Sequence, residues 1–382
     1  MSPEEPVTGT GAGVSAPLEQ PPAGLESHYL GTGPNRLHVL TSRCADPSGP
    51  LVCLLHGNLS TARFFEPTAL ALPPSWDVIL PDLRGFGRSG AAAVEATRGL
   101  RDFAEDLDRA LSIGEQGQPV QARPVHLAGW SMGGGVVMQY AIDHPERVAS
   151  VTLISPVSPF GFGGTRGEDG ELCRDDGAGS GGGVVAGELV RRITEADRSD
   201  DSQFSPRSVL RAIYLKPPLR LPLAVEDLFV DEILATATGD DNYPGDHRTS
   251  PHWPGVAPGT RGVANTMAPL YCDLSKFAEV VAGGVPVLWV RGADDQIVSD
   301  TSLIDVGYLG AAGVMTGWPG EEFPAQPMVS QTRAMLRRAQ AAGGTFTEVV
   351  FPDCGHSPHL EYPARFVSLV TDFITATEAP RI

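Results

Sequence analysis

One serine lies in a glycine-rich segment whose spacing suits nucleophilic catalysis. Residues 129–133 read GWSMG, which fits the pattern G-x-S-x-G between an apolar run at 125–128 and a helical pattern at 132–143. So tight a turn strains the backbone of its middle residue, lifts that side chain clear of the sheet and needs glycines where a Cβ would collide. Ser131 is therefore a candidate nucleophile. The alternative is a glycine-rich turn that carries a serine incidentally.

A serine nucleophile needs a base to take its proton and an acid to orient that base. His356 follows an apolar run near the end of the chain, so its loop can reach over the predicted sheet. The segment 291–298 reads RGADDQIV and offers Asp294 and Asp295 as the acid. The residue order Ser, Asp, His is the one expected around this serine motif. His359, three residues further on, is predicted to be an exposed or helix-start histidine.

Short apolar runs alternate with helical patterns around these residues. Such runs are typical of strands buried on both faces of a parallel sheet. The predicted strands are 51–55, 78–80, 125–128, 151–154, 285–290 and 345–351, and the predicted helices are 100–112, 132–143, 185–197, 223–237, 328–341 and 363–377.

Five motifs in the same order resemble the α/β-hydrolase superfamily. They are HGN at 56–58, PDLRGFGRS at 81–89, GWSMG at 129–133, GADDQIV at 292–298 and GHSPHLEYP at 355–363. The resemblance implies an α/β-hydrolase fold, with a mostly parallel central sheet flanked by helices and a large cap insertion.

The resemblance also assigns roles to single residues. The family pattern G-x-x-D-x-I/V-V makes Asp295 the acid, with Asp294 a solvated or capping neighbour, and it makes His356 the base. The backbone N–H groups of Asn58 and Met132 are the expected oxyanion donors. His56 and the 81–89 turn are expected to be structural, with Asp82 and Arg84 sharing one polar network.

Composition places the remaining chain around this core. Gly 45 and Pro 34 are an excess for 382 residues, which indicates a loop-rich protein. We predict a disordered tail over 1–26, a hydrolase core over 27–158 and 283–382, a cap over 159–282, and a second irregular insertion within the core over 299–326.

The predicted cap should contain the residues that choose the substrate. Residues 177–183 read as a flexible surface loop, and the acidic run 239–247 reads as a polar turn, with a cation site as the less favoured alternative. Possible pocket residues are Leu59 (also the fallback oxyanion donor), Trp130, Phe160, Tyr214, Tyr243 and Trp253.

Charge and composition exclude several classes of partner. Lys+Arg 28 against Asp+Glu 46 gives a net charge of −18, which disfavours nucleic acid and anionic membranes. Five scattered cysteines, with no zinc-type spacing, no signal-peptide pattern and no long apolar stretch, fit a cytoplasmic protein. We expect no metal and no organic cofactor, and a small-molecule substrate.

The serine at position 131 narrows the reaction that the resemblance implies. Epoxide hydrolases and haloalkane dehalogenases of this fold use an aspartate nucleophile there. A serine favours cleavage of an ester or lactone through an acyl-enzyme. The alternatives are a carbon–carbon hydrolase or a thioesterase/acyltransferase on the same triad and, more distantly, a non-catalytic small-molecule receptor.

Overall fold

A computed structural model describes residues 21–42, 49–112 and 123–379. Its strands are β1 (Leu25–Leu30), β2 (Leu37–Ser42), β3 (Leu51–Leu55), β4 (Asp77–Pro81), β5 (Val125–Trp130), β6 (Val148–Ile154), β7 (Thr165–Arg166), β8 (Glu171–Leu172), β9 (Thr238–Gly239), β10 (Tyr243–Pro244), β11 (His247–Thr249), β12 (Val256–Pro258), β13 (Val287–Gly292) and β14 (Phe346–Phe351).

The helices lie between and around these strands. They are α1 (Glu66–Ala71), α2 (Arg101–Leu111), α3 (Met132–Asp143), α4 (Gly187–Thr194), α5 (Pro206–Val209), α6 (Leu223–Leu234), α7 (Val263–Thr266), α8 (Phe277–Ala282), α9 (Val306–Ala311), α10 (Met328–Ala341), α11 (Pro358–Glu361) and α12 (Pro363–Glu378), with one π-helical turn at Leu210–Tyr214.

Eight strands form one sheet in the order β1-β2-β4-β3-β5-β6-β13-β14. Strand β2 runs antiparallel to both of its neighbours. The other six strands of this sheet, β4, β3, β5, β6, β13 and β14, are parallel to one another. The α/β-hydrolase fold predicted from the sequence is therefore confirmed. The carboxyl ends of the parallel strands meet at one edge of the sheet, where the loops that carry the candidate site residues begin.

The apolar runs became strands because they are buried on both faces. Every residue of β3 and β5 is buried, and β3 pairs with β5 from Leu51 opposite Val125 to Leu55 opposite Gly129. Helix α3 has the bounds that the sequence predicted, and ten of its twelve residues are buried against the sheet. This packing holds the turn between β5 and α3 beside the loop after β3.

One predicted boundary and the predicted character of one segment need correction. Ordered structure begins before residue 27, because β1 starts at Leu25, which pairs with Ser42 of β2. Residues 1–20 of the predicted tail lie outside the described residues, as does Cys44. The second insertion, predicted to be irregular, contains helix α9, whose first turn is capped by the Asp305 side chain.

The segment between β6 and β13 contains α4 to α8 and three two-stranded ladders. The prediction of a flexible surface loop at 177–183 is wrong, because residues 177–182 are buried. A Cβ added at Gly179 would lie 2.4 Å from the Phe323 ring, and one at Gly181 would lie 2.3 Å from the Asn265 side chain. Gly179 therefore forms a close-packed contact between the two insertions, and Gly181 forms one within the first insertion.

Candidate active site

Ser131 occupies a strained turn at the carboxyl end of β5. Its φ is 55° and its ψ is −120°, in a region that residues with a Cβ rarely adopt. A Cβ at Gly129 would lie 2.3 Å from the Gly133 carbonyl oxygen, and one at Gly133 would lie 2.4 Å from that of His56. Both glycines are thus required by backbone contacts, as the motif predicted.

The loop after β3 approaches the serine closely. A Cβ at Gly57 would lie 2.9 Å from the Ser131 Cβ, so only glycine permits this approach. His56 supports the loop, because its Nδ1 lies 2.8 Å from the Gly57 carbonyl oxygen and its Nε2 accepts from the Leu83 N–H at 2.9 Å. Burial lowers the pKa of His56. The ring is therefore used structurally, as expected.

His356 and Asp295 form a buried hydrogen-bonded pair. His356 Nδ1 lies 2.8 Å from Asp295 Oδ2, with the side chains 1% and 3% exposed. The other carboxylate oxygen, Oδ1, accepts from the N–H groups of Ile297 and Val298 at 2.8 and 3.0 Å. The pairing of Gly292 with Phe351 across β13 and β14 brings the two loops together.

The two aspartates have different surroundings, as the family pattern implies. Asp294 is half-exposed and its carboxylate lies 2.6 Å from Lys216 Nζ. Asp295 alone reaches His356. With Nδ1 directed at Asp295, the Nε2 atom of His356 is the ring nitrogen left to exchange a proton with a reacting group.

Trp130 contacts the backbone of the loop that carries His356. Its Nε1 donates to the His356 carbonyl oxygen at 2.9 Å, and the two rings are 5.5 Å apart. Glu361 of the same loop accepts from the Gly355 N–H at 2.9 Å. The residue before the candidate nucleophile therefore supports the backbone of the candidate base. The ring is 1% exposed, and the role of Trp130 as a pocket residue stays a prediction.

The predicted oxyanion donors belong to two adjoining loops. Met132 begins helix α3, and Asn58 directly follows Gly57. The next residue, Leu59, is buried and has a φ of 48°. Backbone N–H groups in the first turn of a helix have no partner within the helix, so they suit an anionic oxygen.

The structure brings two of the predicted cap residues to Asn58. The Tyr214 hydroxyl donates to the Asn58 carbonyl oxygen at 2.8 Å. The Tyr243 hydroxyl lies beside the Asn58 side chain and is buried, which raises its pKa. Both residues come from the segment between β6 and β13.

Phe160 and Trp253 pack against other residues of the two insertions, and their role as pocket residues stays a prediction. The Phe160 ring lies against Gly170, where a Cβ would be 2.1 Å from the ring. Trp253 packs edge-on against Phe323 at 5.1 Å and belongs to a separate apolar cluster. Aromatic residue type alone did not distinguish pocket lining from cap packing.

His359 lies in the first turn of α11, as the helix-start alternative predicted, but it is buried rather than exposed. Its ring stacks on Phe65 at 4.5 Å and meets Trp130 edge-on at 4.8 Å. Neither ring nitrogen has a hydrogen-bond partner, and burial followed by the nearby His356 lowers its pKa to about 3. The start of α11 at Pro358 turns this side chain inward. His359 is therefore a neutral packing residue behind the candidate site.

One buried carboxyl group was not found by the sequence analysis. Glu232 of α6 accepts from the Thr61 hydroxyl at 2.7 Å and lies 3.6 Å from Arg63 Nη1. Burial, followed by the nearby Asp82, raises its pKa to about 7. No local pattern marks this residue, because its partners are about 170 positions away in the sequence.

The turn at 81–89 contains two polar clusters where one was expected. Asp82 lies 2.7 Å from His38 Nδ1 and accepts from the Ala62 N–H at 2.8 Å. Arg84 instead pairs with Asp106 at 2.6 Å and with Asp102 at 3.2 Å. Both clusters stabilise the loops beside Gly57 and contact no group of the candidate triad.

The acidic run 239–247 is a polar turn closed by Arg261, which pairs with Asp240, Asp241 and Asp246. In the described part of the chain, no group of three His, Cys, Asp or Glu side chains is arranged for a metal ion. Across the same residues, no helix combines the length and apolar character needed to cross a membrane.

Comparisons with known proteins support the fold and the general class of protein. A family model of the α/β-hydrolase fold matches residues 50–165. The chain is 24% identical to a pimeloyl-[acyl-carrier protein] methyl ester esterase of Aeromonas hydrophila, over 85% of this chain and 96% of that protein. It is 26% identical to carboxylesterase YbfK of Bacillus subtilis, over 36% of this chain and 44% of that protein.

A solved structure shares the fold at low sequence identity. The thermophilic esterase of Thermogutta terrifontis matches with a TM-score of 0.53 and 17% identity, over 93% of this chain and all of that one. The family model and the curated esterase relatives together indicate the α/β-hydrolase superfamily.

Proposed function

We propose that this protein is a serine hydrolase that cleaves a carboxylic ester or lactone of a small to medium, mostly apolar molecule. The observation that carries the proposal is the buried 2.8 Å contact between His356 and Asp295, at the same sheet edge as the strained turn that presents Ser131. Nucleophilic acyl transfer needs a serine hydroxyl and an imidazole that an acid orients, and both belong to loops at this sheet edge.

The proposed reaction has two steps. His356 Nε2 takes the proton of Ser131 as the Oγ atom attacks the carbonyl carbon, and the N–H groups of Met132 and Asn58 receive the negative oxygen. The tetrahedral intermediate then breaks its bond to the alkoxy oxygen, which takes the proton from His356. Water activated by His356 releases the acid and frees Ser131. Asp295 holds the imidazole orientation throughout.

The segment between β6 and β13 is proposed as a cap, following the predicted boundaries 159–282. Support comes from the contacts of Tyr214 and Tyr243 at Asn58 and from the burial of Glu232 against Thr61. A cover at this place would exclude water and shape the substrate pocket. The apolar surroundings of Leu59 favour a mostly apolar acyl or alcohol group.

A fluorophosphonate probe and a p-nitrophenyl ester test the function together. Wild-type protein should be labelled at Ser131 and should release p-nitrophenol from p-nitrophenyl butyrate. Ser131→Ala should lose labelling and about 10⁴-fold or more in kcat while remaining folded. Labelling that persists in Ser131→Ala would exclude this nucleophile. Labelling of Ser131 without ester turnover would favour the carbon–carbon hydrolase alternative.

A further inference from the structure

Tyr214 of the insertion contacts several parts of the candidate site. Its hydroxyl donates to the Asn58 carbonyl oxygen at 2.8 Å and lies 3.5 Å from that of Leu59. Its own carbonyl oxygen accepts from the Ser357 hydroxyl at 2.8 Å. One buried residue thus joins the loop after β3 to the loop that carries His356.

The hydrogen bond at Asn58 constrains a peptide plane that matters for catalysis. The Asn58 carbonyl and the Leu59 N–H belong to one planar unit, so holding the oxygen also sets the direction of that N–H. It also limits the rotation of Asn58 about ψ. Leu59 has a φ of 48°, and such a conformation persists only where its surroundings hold it. The Tyr214 hydroxyl supplies such a restraint.

Aromatic contacts and a second anchor fix Tyr214 itself. Its ring meets Trp130 edge-on at 5.4 Å and lies 6.1 Å from the His356 ring. Two residues further on, the Lys216 N–H donates to Glu361 Oε2 at 3.1 Å. Glu361 also accepts from the Gly355 N–H, so the insertion and the His356 loop share one carboxylate.

We propose that Tyr214 is a positioning residue, which holds the Asn58–Leu59 loop in the geometry that receives the oxyanion and couples it to the His356 loop. This inference rests on the proposed function. A direct proton-transfer role is not supported, because the hydroxyl is already committed to Asn58 and its burial raises its pKa. The side chain acts through the two loops that it joins.

The decisive variant is Tyr214→Phe, which removes the hydroxyl and keeps the ring. Loss of the restraint should lower kcat for p-nitrophenyl butyrate by about 10- to 100-fold and change KM by less than about threefold, because a misplaced donor weakens the transition state more than the bound ester. A boronic acid that mimics the tetrahedral state should bind correspondingly less tightly, while butyrate should bind as before.

Two further variants separate positioning from folding. Tyr271→Phe removes another tyrosine hydroxyl of the insertion, whose charged neighbours are Arg248, Asp246 and Glu95, and it should keep the wild-type kcat. Ser357→Ala removes the other hydrogen bond of Tyr214, so its effect on kcat should be non-additive with that of Tyr214→Phe. Thermal melting of each variant identifies losses due to unfolding.

Three results would overturn the inference. The first is a Tyr214→Phe protein with wild-type kcat and boronic acid affinity, in an enzyme that still labels at Ser131; the proposed function then survives and the positioning role fails. The second is an effect on melting temperature with kcat unchanged in the folded fraction. The third is a wild-type protein that neither turns over the ester nor labels, in which case both proposals fail.

Discussion

The sheet core and the segment between β6 and β13 are held together by different forces. In the core, the candidate site loops are fixed by backbone contacts, such as the approach of Gly133 to the His56 carbonyl, above strands that are wholly buried. In the insertion, charged side chains join the helices. Glu226 of α6 lies 2.5 Å from Arg207 and 2.6 Å from Arg211, and Arg192 bonds Glu188 at 2.6 Å.

This difference predicts that the two regions respond differently to pH and salt. Backbone contacts and apolar burial depend little on pH or salt, whereas ion pairs at partly exposed sites are weakened by both. Changes of solution conditions should therefore affect the insertion before they affect the turn at Ser131. Tyr214 and Glu232 of the insertion contact the loop after β3, so such changes would reach the candidate site through them.

The largest expected effect comes from breaking a backbone contact of the core. Gly133→Ala would place a Cβ 2.4 Å from the His56 carbonyl oxygen and 2.6 Å from that of Leu55, and neither backbone atom can move freely. We expect a loss of more than about 4 kcal/mol in the free energy of unfolding, or no folded protein, measured by urea denaturation.

The matched variant in the insertion is Gly187→Ala, at the first residue of α4. No heavy atom lies within 4 Å of the added Cβ. The substitution should raise the free energy of unfolding by about 0.4–1 kcal/mol, because alanine reduces the freedom of the unfolded chain. Equal effects at Gly133 and Gly187 would refute the contrast between the two regions.

Two neighbouring aspartates of one loop contact different regions of the molecule. Asp295 faces His356 of the core and Asp294 faces Lys216 of the insertion. Asp295→Asn should lower kcat by about 10³- to 10⁴-fold, because the imidazole loses its orienting carboxylate. Asp294→Asn should change kcat by less than roughly threefold, since it removes an exposed ion pair. Steady-state kinetics of both variants decide this, and the reverse ranking would move the acid to Asp294.

The last comparison concerns the carboxyl group that the insertion buries against the core. The folded pKa of Glu232 is about 7, against an ordinary value of 4.5, so the folded state keeps a proton that the unfolded chain releases. Its contribution of about 3 kcal/mol should be complete below pH 4.5 and lost as the pH rises through 7. Arg63, Arg88, Asp82 and Glu66 are the charged groups around this site.

Glu232→Gln should therefore raise the free energy of unfolding at pH 8 by up to about 3 kcal/mol and change it little at pH 4. The matched control is Glu226→Gln on the same helix. Arg211 and Arg207 lower the pKa of Glu226, so its loss should destabilise the protein at pH 8. Urea denaturation at both pH values measures this, and a destabilised Glu232→Gln at pH 8 would contradict the prediction.

Local patterns predicted most of the parallel sheet and its helices. Helices α3 and α10 have the predicted bounds, because each has a marked start and an apolar face that one stretch of sequence displays. The hairpin of β1 and β2 was missed. Strand β1 has three consecutive polar residues (26–28), and Leu25 alone of its six residues is buried, so its place depends on pairing with β2.

The amino-acid sequence by itself determined the strained turn at Ser131, because glycine sterics act locally, and its motif order implied the superfamily and the pairing of Asp295 with His356 by resemblance. Tertiary structure alone decided that His359 is buried, that Glu232 lies against Thr61 and that Tyr214 rather than Trp253 reaches Asn58. These features depend on contacts between distant segments, and burial changes the chemistry of a side chain that sequence spacing cannot place.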